Sequence, residues 1–395
     1  MNFIFISPNF PTIYSHFIKS LHDRGVTVLG IGDEPYDLLN RELKENLTEY
    51  CFCSDMNNLQ WMKNTVDYLK NKYGPISFLE SNNEYWLEND AKLRQYADVI
   101  NGLRPEEMDV IKYKSKMKED FIKAGAKVAR YILVESIEQC EEFIAKVGYP
   151  VFAKPDNGVG AAGTFKIDNK DDLISFFKEK YDTQYIMEEY ISGYITSFDG
   201  ICDDFSNVVV AFNERFPVPI DQIVKTKGDC FYYAKVDMPS DFRKLGERVV
   251  KSFGIRKRCF HIEFFVLDED KDGLGKKGDV IALEVNMRSP GGHTPDLLSI
   301  ALDESYYDIY ADVIVSNCTF VDINKKHYVA AACSRRNEDI YALSDSQILA
   351  MYENNIKSFG SYPKAISAAM GDRFFFARFE TMEEAEDFVK HVLKR

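Results

Sequence analysis

The chain opens with an unbroken apolar run, Phe3–Ile6, and a similar run returns at Thr27–Ile31. Between them, Pro11–Arg24 spaces its apolar residues as a helix does and stops at Gly25. Helical spacing recurs over Asn57–Lys72 and Glu84–Ala97, with the strand-like "PISFLE" between them. Apolar strands alternating with amphipathic helices predict β-α-β units around a parallel sheet. "GLRPEEM" marks a boundary near residue 103.

The pattern then changes. A helix is expected over 114–125, closed by Gly125, and a strand over Val128–Leu133. Ser136 and Gln139 form a capping box for a helix over Ile137–Val147. A strand ending at Lys154, a glycine-rich loop and a second strand at Thr164–Ile167 follow, then a helix at Asp171–Lys180 and a strand at Gln184–Tyr190. "NVVVAF", "CFYYAKV", "CFHIEFFVL" and "DVIALEVNM" read as further strands, and their uneven spacing predicts an antiparallel sheet. Helices are expected at Pro239–Phe253, Asp296–Ala301 and Ser305–Val315. From Tyr328 short strands and helices alternate, and Thr381 with Glu384 caps a last helix. The fold class is α/β followed by α+β, with expected boundaries at 1–103, 104–193, 194–320 and 321–395.

Composition narrows the function. Hydrophobic residues are 45% and charged residues 28% of 395, an ordinary globular balance. A net charge of −14 argues against nonspecific nucleic-acid binding, which needs a basic face. The N-terminus lacks the basic lead and apolar length of a signal peptide, and no apolar stretch is long enough to span a membrane. Eight scattered cysteines without a CxxC pair read as free thiols, which suits a reducing cytoplasm.

Candidate chemistry sits on the later strands. Side chains two apart on a strand share a face, so Glu284, Asn286 and Arg288 line one surface, and Glu263 joins them if the two strands pair. Carboxylate and amide oxygens with room for water suit Mg2+, which substrate phosphates usually complete. Lys154 ends an apolar run, so its charge needs a partner. A phosphate would serve, and so would a structural carboxylate. The loop after it, with Gly158, Gly160 and Gly163, could offer backbone N–H groups to a phosphate. It is not the Gly-Lys-Ser/Thr phosphate loop, because the lysine precedes the glycines and a strand follows them.

The order of these parts is more specific than any one of them. A lysine at a helix start, a strand lysine, a glycine loop, "YIMEEYISG", strand acids and "EVNMR" make the chain resemble the ATP-grasp superfamily, in particular its carboxylate–amine ligases. The resemblance covers residues 1 to about 315. It implies an ATP-grasp fold with an N-terminal parallel-sheet domain and a C-terminal lobe. It implies ATP and Mg2+, with Mn2+ as an admissible substitute. Lys114, eleven residues before the glycine of "KAG", and Lys154 fall where ATP-contacting lysines stand. Glu188, Glu189 and Ile191 match the adenine hinge, and Glu263, Glu284 and Asn286 match the metal ligands. Arg288 matches the arginine that steadies the transferring phosphoryl group, and the glycine loop becomes a flap over the phosphates. One position departs from the pattern: Ile195 stands where many members carry a ribose-binding acid.

The implied activity joins a small-molecule carboxylate to an amine through an acyl phosphate, releasing ADP and phosphate. "EVNMRSPGG" is most similar to L-amino-acid ligases, in which the stretch after the arginine touches the carboxylate substrate. His293 there either orients substrate or takes the amine proton, or else packs as a loop histidine beside the site. "SRR" at 334–336 either holds a substrate carboxylate or forms a solvated edge. Similar ligases are often dimers, so a homodimer fits. The alternatives are an ATP-grasp carboxylase, which "SPGGHT" disfavours, a ligase of the phosphoribosylamine–glycine type, and a nucleotide-binding sensor without turnover. A dinucleotide-binding N-terminal domain is disfavoured because "ISPNFP" lacks the glycine fingerprint.

Overall fold

The computed structural model describes residues 1–157, 163–218 and 220–395. Strands β1 (Asn2–Ile6), β2 (Thr27–Gly32), β3 (Glu49–Phe52) and β4 (Phe78–Glu80) form a parallel sheet in the order β3-β2-β1-β4. Helices α1 (Tyr14–Asp23), α2 (Arg41–Asn46), α3 (Leu59–Tyr73) and α4 (Leu87–Ala97) connect or flank the strands. Phe3–Ile6 are wholly buried, as a strand covered on both faces requires. The short α2 and the half-exposed β3 have no clear apolar period, which is why the pattern did not announce them. Beyond the C-terminal end of β4, residues 81–86 carry Glu84 towards the rest of the molecule.

The second region contains α5 (Asp109–Lys112), α6 (Lys114–Lys123), β5 (Lys127–Val128), β6 (Tyr131–Leu133), α7 (Ile137–Val147), β7 (Val151–Pro155), β8 (Phe165–Ile167), α8 (Lys170–Glu179) and β9 (Tyr185–Glu189). The single strand expected at 128–133 is two strands in two sheets. β5 joins the large sheet described next, and β6 enters a four-stranded sheet ordered β6-β9-β7-β8. Arg130 is the joint: its backbone N–H and guanidinium both donate to the Glu189 carboxylate, and its carbonyl accepts from Glu189 N–H. Gly158 and Gly160 lie outside the described residues. Gly163 has φ +72°, and a Cβ there would meet the Tyr181 ring at 2.8 Å, so glycine is required twice over.

The remaining elements are β10 (Gly193–Cys202), β11 (Val208–Phe216), α9 (Ile220–Thr226), β12 (Phe231–Lys235), α10 (Ser240–Ser252), β13 (Arg258–Leu267), β14 (Val280–Asn286), α11 (Thr294–Leu302), α12 (Tyr306–Ser316), β15 (Val329–Arg335), α13 (Asp345–Met351), β16 (Ile356–Ser361), α14 (Lys364–Met370), β17 (Arg373–Phe379) and α15 (Met382–Leu393). They build one nine-stranded sheet, ordered β16-β17-β15-β12-β11-β10-β13-β14-β5. The tail thus adds three strands to the sheet that carries the candidate acids, joined through β12 and β15. β10 was not expected, because it buries Thr196, Ser197 and Asp199 where a core strand usually shows apolar residues. Thr381 and Glu384 do form the capping box of α15.

Candidate functional site

Four central strands set a row of polar side chains on one face of the large sheet. Glu214 of β11 lies opposite Ser197 of β10, Ser197 opposite Glu263 of β13, and Glu263 opposite Glu284 of β14. Directly opposed residues share a face, with Cβ atoms about 4.5–5.5 Å apart. The next row on that face brings Asp199, His261 and Asn286 together. His261 bridges the rows: Nδ1 meets Asp199 Oδ1, and Nε2 meets Glu263 Oε1 at 3.1 Å. Ser197 Oγ donates to Asp199.

Opposed like charges are unfavourable, so the Glu263–Glu284 pair needs a reason. Burial and the Glu263 charge raise the Glu284 pKa above the usual carboxylate value. Burial also acts to raise Glu263, but His261, Arg288 and Lys154 outweigh it and Glu263 stays lowered. One ionised and one strained carboxylate, with the Asn286 amide in the adjoining row, suit a divalent cation. Among the described residues no group of three or more His, Cys, Asp or Glu is arranged to hold a metal by itself. Two carboxylates plus an amide leave coordination positions for phosphate and water, as Mg2+ prefers.

The basic side faces this row. Lys154 of β7 reaches Glu188 Oε2 at 2.6 Å, and Lys118 of α6 reaches Glu188 Oε1 at 2.7 Å. Burial opposes ionisation of Glu188, but the two lysines pull its pKa down to about 2. Lys118 is 2% exposed and lies over the Tyr131 ring at 5.6 Å. Burial, with repulsion from Lys154, lowers its own pKa against the attraction of Glu188 and Glu189. Lys154, with Glu188 and the charges of Glu284 and Glu263, stays raised despite burial. Lys114, one turn before Lys118, opens α6. Its N–H donates to the Asp156 carbonyl at 2.9 Å, while the Asp156 carboxylate takes Ser115 N–H and Oγ–H. Burial lowers Lys114, with Glu284 attracting its charge and Lys154 repelling it.

Lys118, Lys154, Glu188, Ile191, Ile195 and Glu263 line part of a cavity of about 750 Å3, within the range of nucleotide-sized sites. Gln222 and Lys225 of α9 also line it. Glu189 also lines it, although its carboxylate is engaged by Arg130 at 2.6 Å. Ile195, in the place of a ribose-binding acid, lines both this cavity and its neighbour. Arg288 follows β14: Nη2 donates to Glu84 at 2.7 Å and to Asn286 Oδ1 at 3.3 Å.

His293 bonds Asp296 through Nδ1 at 2.8 Å and stacks on Phe374, with centroids 5.4 Å apart. "SRR" is not a solvated edge, because Ser334, Arg335 and Arg336 are all buried. Arg335 is buried on Asp345 and the Val392 carbonyl, and Arg336 donates to the carbonyls of Gly228, Ser367 and Ala368. These arginines fasten α14 and the tail to the sheet. Lys118 and His261 had usable signals, namely a four-residue helical step from Lys114 and a two-residue strand step from Glu263. Glu214 had none, because it joins the row only through strand pairing with β10.

A strand-lysine cavity beside an acid-bearing antiparallel sheet is the arrangement of the ATP-grasp fold. Residues 112–291 match the ATP-grasp domain family. The chain superposes on the crystal structure of an L-amino acid ligase from Bacillus licheniformis with a TM-score of 0.71, at 15% identity, over 98% of this chain and 96% of that one. It is 43% identical to D-alanine–D-alanine ligase B of Clostridium perfringens over 165 residues, 41% of this chain and 46% of that protein. It is 24% identical to an L-arginine-specific L-amino acid ligase of Bacillus subtilis over 230 residues, 56% of this chain and 53% of that protein. The chain thus spans about half the length of these two curated relatives.

Proposed function

We propose that the protein is an ATP-dependent carboxylate–amine ligase acting on small molecules. The observation that carries this reading is the meeting of Glu263 and Glu284, Arg288, and the lysines Lys114 and Lys154 beside a nucleotide-sized cavity. Glu263, Glu284 and Asn286 would hold Mg2+, which when bound neutralises charge on the triphosphate. Lys154 leaves Glu188 for phosphate oxygens, and Lys114 adds a second fixed charge. An oxygen of the substrate carboxylate attacks the γ-phosphorus, and the bond to the β-bridging oxygen breaks, releasing ADP. Arg288 stabilises the charge moving onto the transferred group. The amine nitrogen then attacks the acyl carbon, phosphate leaves, and the nitrogen loses a proton. No residue of the chain needs to form a covalent bond.

The similarity to amino-acid ligases points to amino acids or related small acids as substrates. Eight free cysteines fit a reducing compartment such as the cytoplasm, and among the described residues no helix is long and apolar enough to cross a membrane. Incubation with Mg-ATP and pooled amino acids, followed by chromatography and mass spectrometry, tests the reading. ADP with a new amide mass is expected. AMP would mean adenylation and overturn the acyl phosphate, and turnover that requires bicarbonate would favour the carboxylase.

A further inference from the structure

A second cavity, of about 530 Å3, adjoins the nucleotide cavity and shares Ile195 and Glu263 with it as a common wall. Its other walls are mainly apolar: Phe216, Ile223, Tyr232, Ile366 and Met370 are among them. One residue does not fit that lining. Glu214 is wholly buried, and its close polar neighbour is another acid, Asp199; no N–H or O–H of the described residues donates to either of its oxygens. Buried carboxylates are rarely left so, because an unmet acceptor costs roughly 1–3 kcal/mol and an unmet charge more. Among the described residues no lysine or arginine lines this cavity, and the one histidine that does, His261, has both ring nitrogens on Asp199 and Glu263. Burial and the nearby Asp199 carboxylate push the Glu214 pKa well above the carboxylate range, and the opposing charge of His261, itself bonded to Asp199 and Glu263, does not offset them.

Its place in the row gives the missing partner a role. Glu214 lies two strands from Glu263, roughly 10 Å across the sheet at the usual strand spacing. A small molecule filling this cavity can therefore present one end to the phosphoryl-transfer row and another to Glu214. We infer that Glu214 is the counter-ion for the ammonium group of a substrate whose apolar side chain fills this cavity. The substrate is then an amino acid with a branched or aromatic side chain, not a simple carboxylic acid or a cationic amino acid. This rests on the ligase reading for the direction in which the substrate's carboxylate points.

The test compares matched pairs. Calorimetry in the presence of Mg-ADP would measure leucine against isocaproate, and phenylalanine against hydrocinnamate, on wild type and Glu214→Gln. Wild type is expected to favour each amino acid by about 10- to 100-fold over its desamino partner, the range of a hydrogen bond to a charged group. Glu214→Gln should lose that preference and still bind the desamino acids as wild type does. Met370→Trp, checked for folding by circular dichroism, should lose phenylalanine and retain alanine. Equal affinities within each pair on wild type, unchanged discrimination in Glu214→Gln, or no binding of any amino acid would overturn the inference. ADP release with isocaproate but no preference for amino acids would leave the ligase reading standing without it. Amino-acid discrimination through Glu214, with no ADP formed from any acid, would do the reverse.

Discussion

The two cavities that meet at Glu263 are built in opposite ways. On the nucleotide side every buried charge of the Lys118–Glu188–Lys154 group already has an internal partner. On the other side no donor reaches the Glu214 carboxylate, whose close neighbour is another acid, Asp199. A paired site stays assembled before its ligand arrives, and binding exchanges one partner for another. An unpaired site is completed only by the ligand. The first arrangement would suit a polyanion such as ATP, because Lys118 would keep Glu188 compensated if Lys154 turned to phosphate. The second suits discrimination, because a molecule without the complementary charge leaves the defect in place.

Breaking the paired side should have the largest effect. Glu188→Gln leaves the buried Lys118 without its carboxylate and takes from Lys154 its nearest one, which should cost about 3–5 kcal/mol of stability, read as a shift in the urea midpoint. Lys118→Met in the same chain should recover part of that loss, because the uncompensated charge of Lys118 is gone. The pH dependence has a definite sign. The Glu188 pKa is depressed to about 2, so its contribution is complete above the ordinary carboxylate value and is lost as the pH falls towards 2. The gap between wild type and Glu188→Gln should therefore narrow on acidification below about pH 4.5. A gap of constant size would mean that the lysines do not hold Glu188.

The shared wall comes next. Glu284→Gln removes one of two opposed carboxylates. Without Mg2+ the variant should be as stable as wild type or more so, by up to about 1 kcal/mol. Its Mg-dependent ADP formation should fall by roughly 100-fold or more, the scale of losing one electrostatic element of a transition state. Opposite signs for stability and turnover mark a functional strain. A variant that loses stability and keeps turnover would return Glu284 to a structural role.

How far these regions could be read from the chain follows the same division. The parallel N-terminal sheet was legible because β1 and β2 are continuous apolar runs. Lys154, Glu263 and Glu284 were legible because each interrupts an apolar strand. β10 was not, since its inward residues are polar and their reason lies in β11 and β13. The split of 128–133 was hidden too, because Glu189, nearly sixty residues later, turns the chain at Arg130. Lys154 shows the limit most directly. The sequence offered a phosphate or an ion pair, and the fold supplies the ion pair with Glu188 while leaving the lysine on the cavity wall.

The smallest expected effect concerns Arg288, which belongs to the basic side but borrows its partner from the N-terminal region. Glu84 holds it at 2.7 Å, and the side chain of Glu84 is 31% exposed. A substrate carboxylate approaching Arg288 would compete with that pair. Part-exposed pairs contribute only about 0.2–1 kcal/mol, so Glu84→Gln should lower the KM for the acid by no more than about fivefold. It should leave the KM for ATP unchanged, since the nucleotide lysines have their own partner. Raised ionic strength should give wild type part of the same gain, because salt weakens an exposed pair more than the buried Lys118–Glu188–Lys154 group. A higher KM for the acid in Glu84→Gln would show that Glu84 orients Arg288 instead of competing for it. The arginine would then be a paired element like Lys154, and the contrast between the two sides would lie in Glu214 alone.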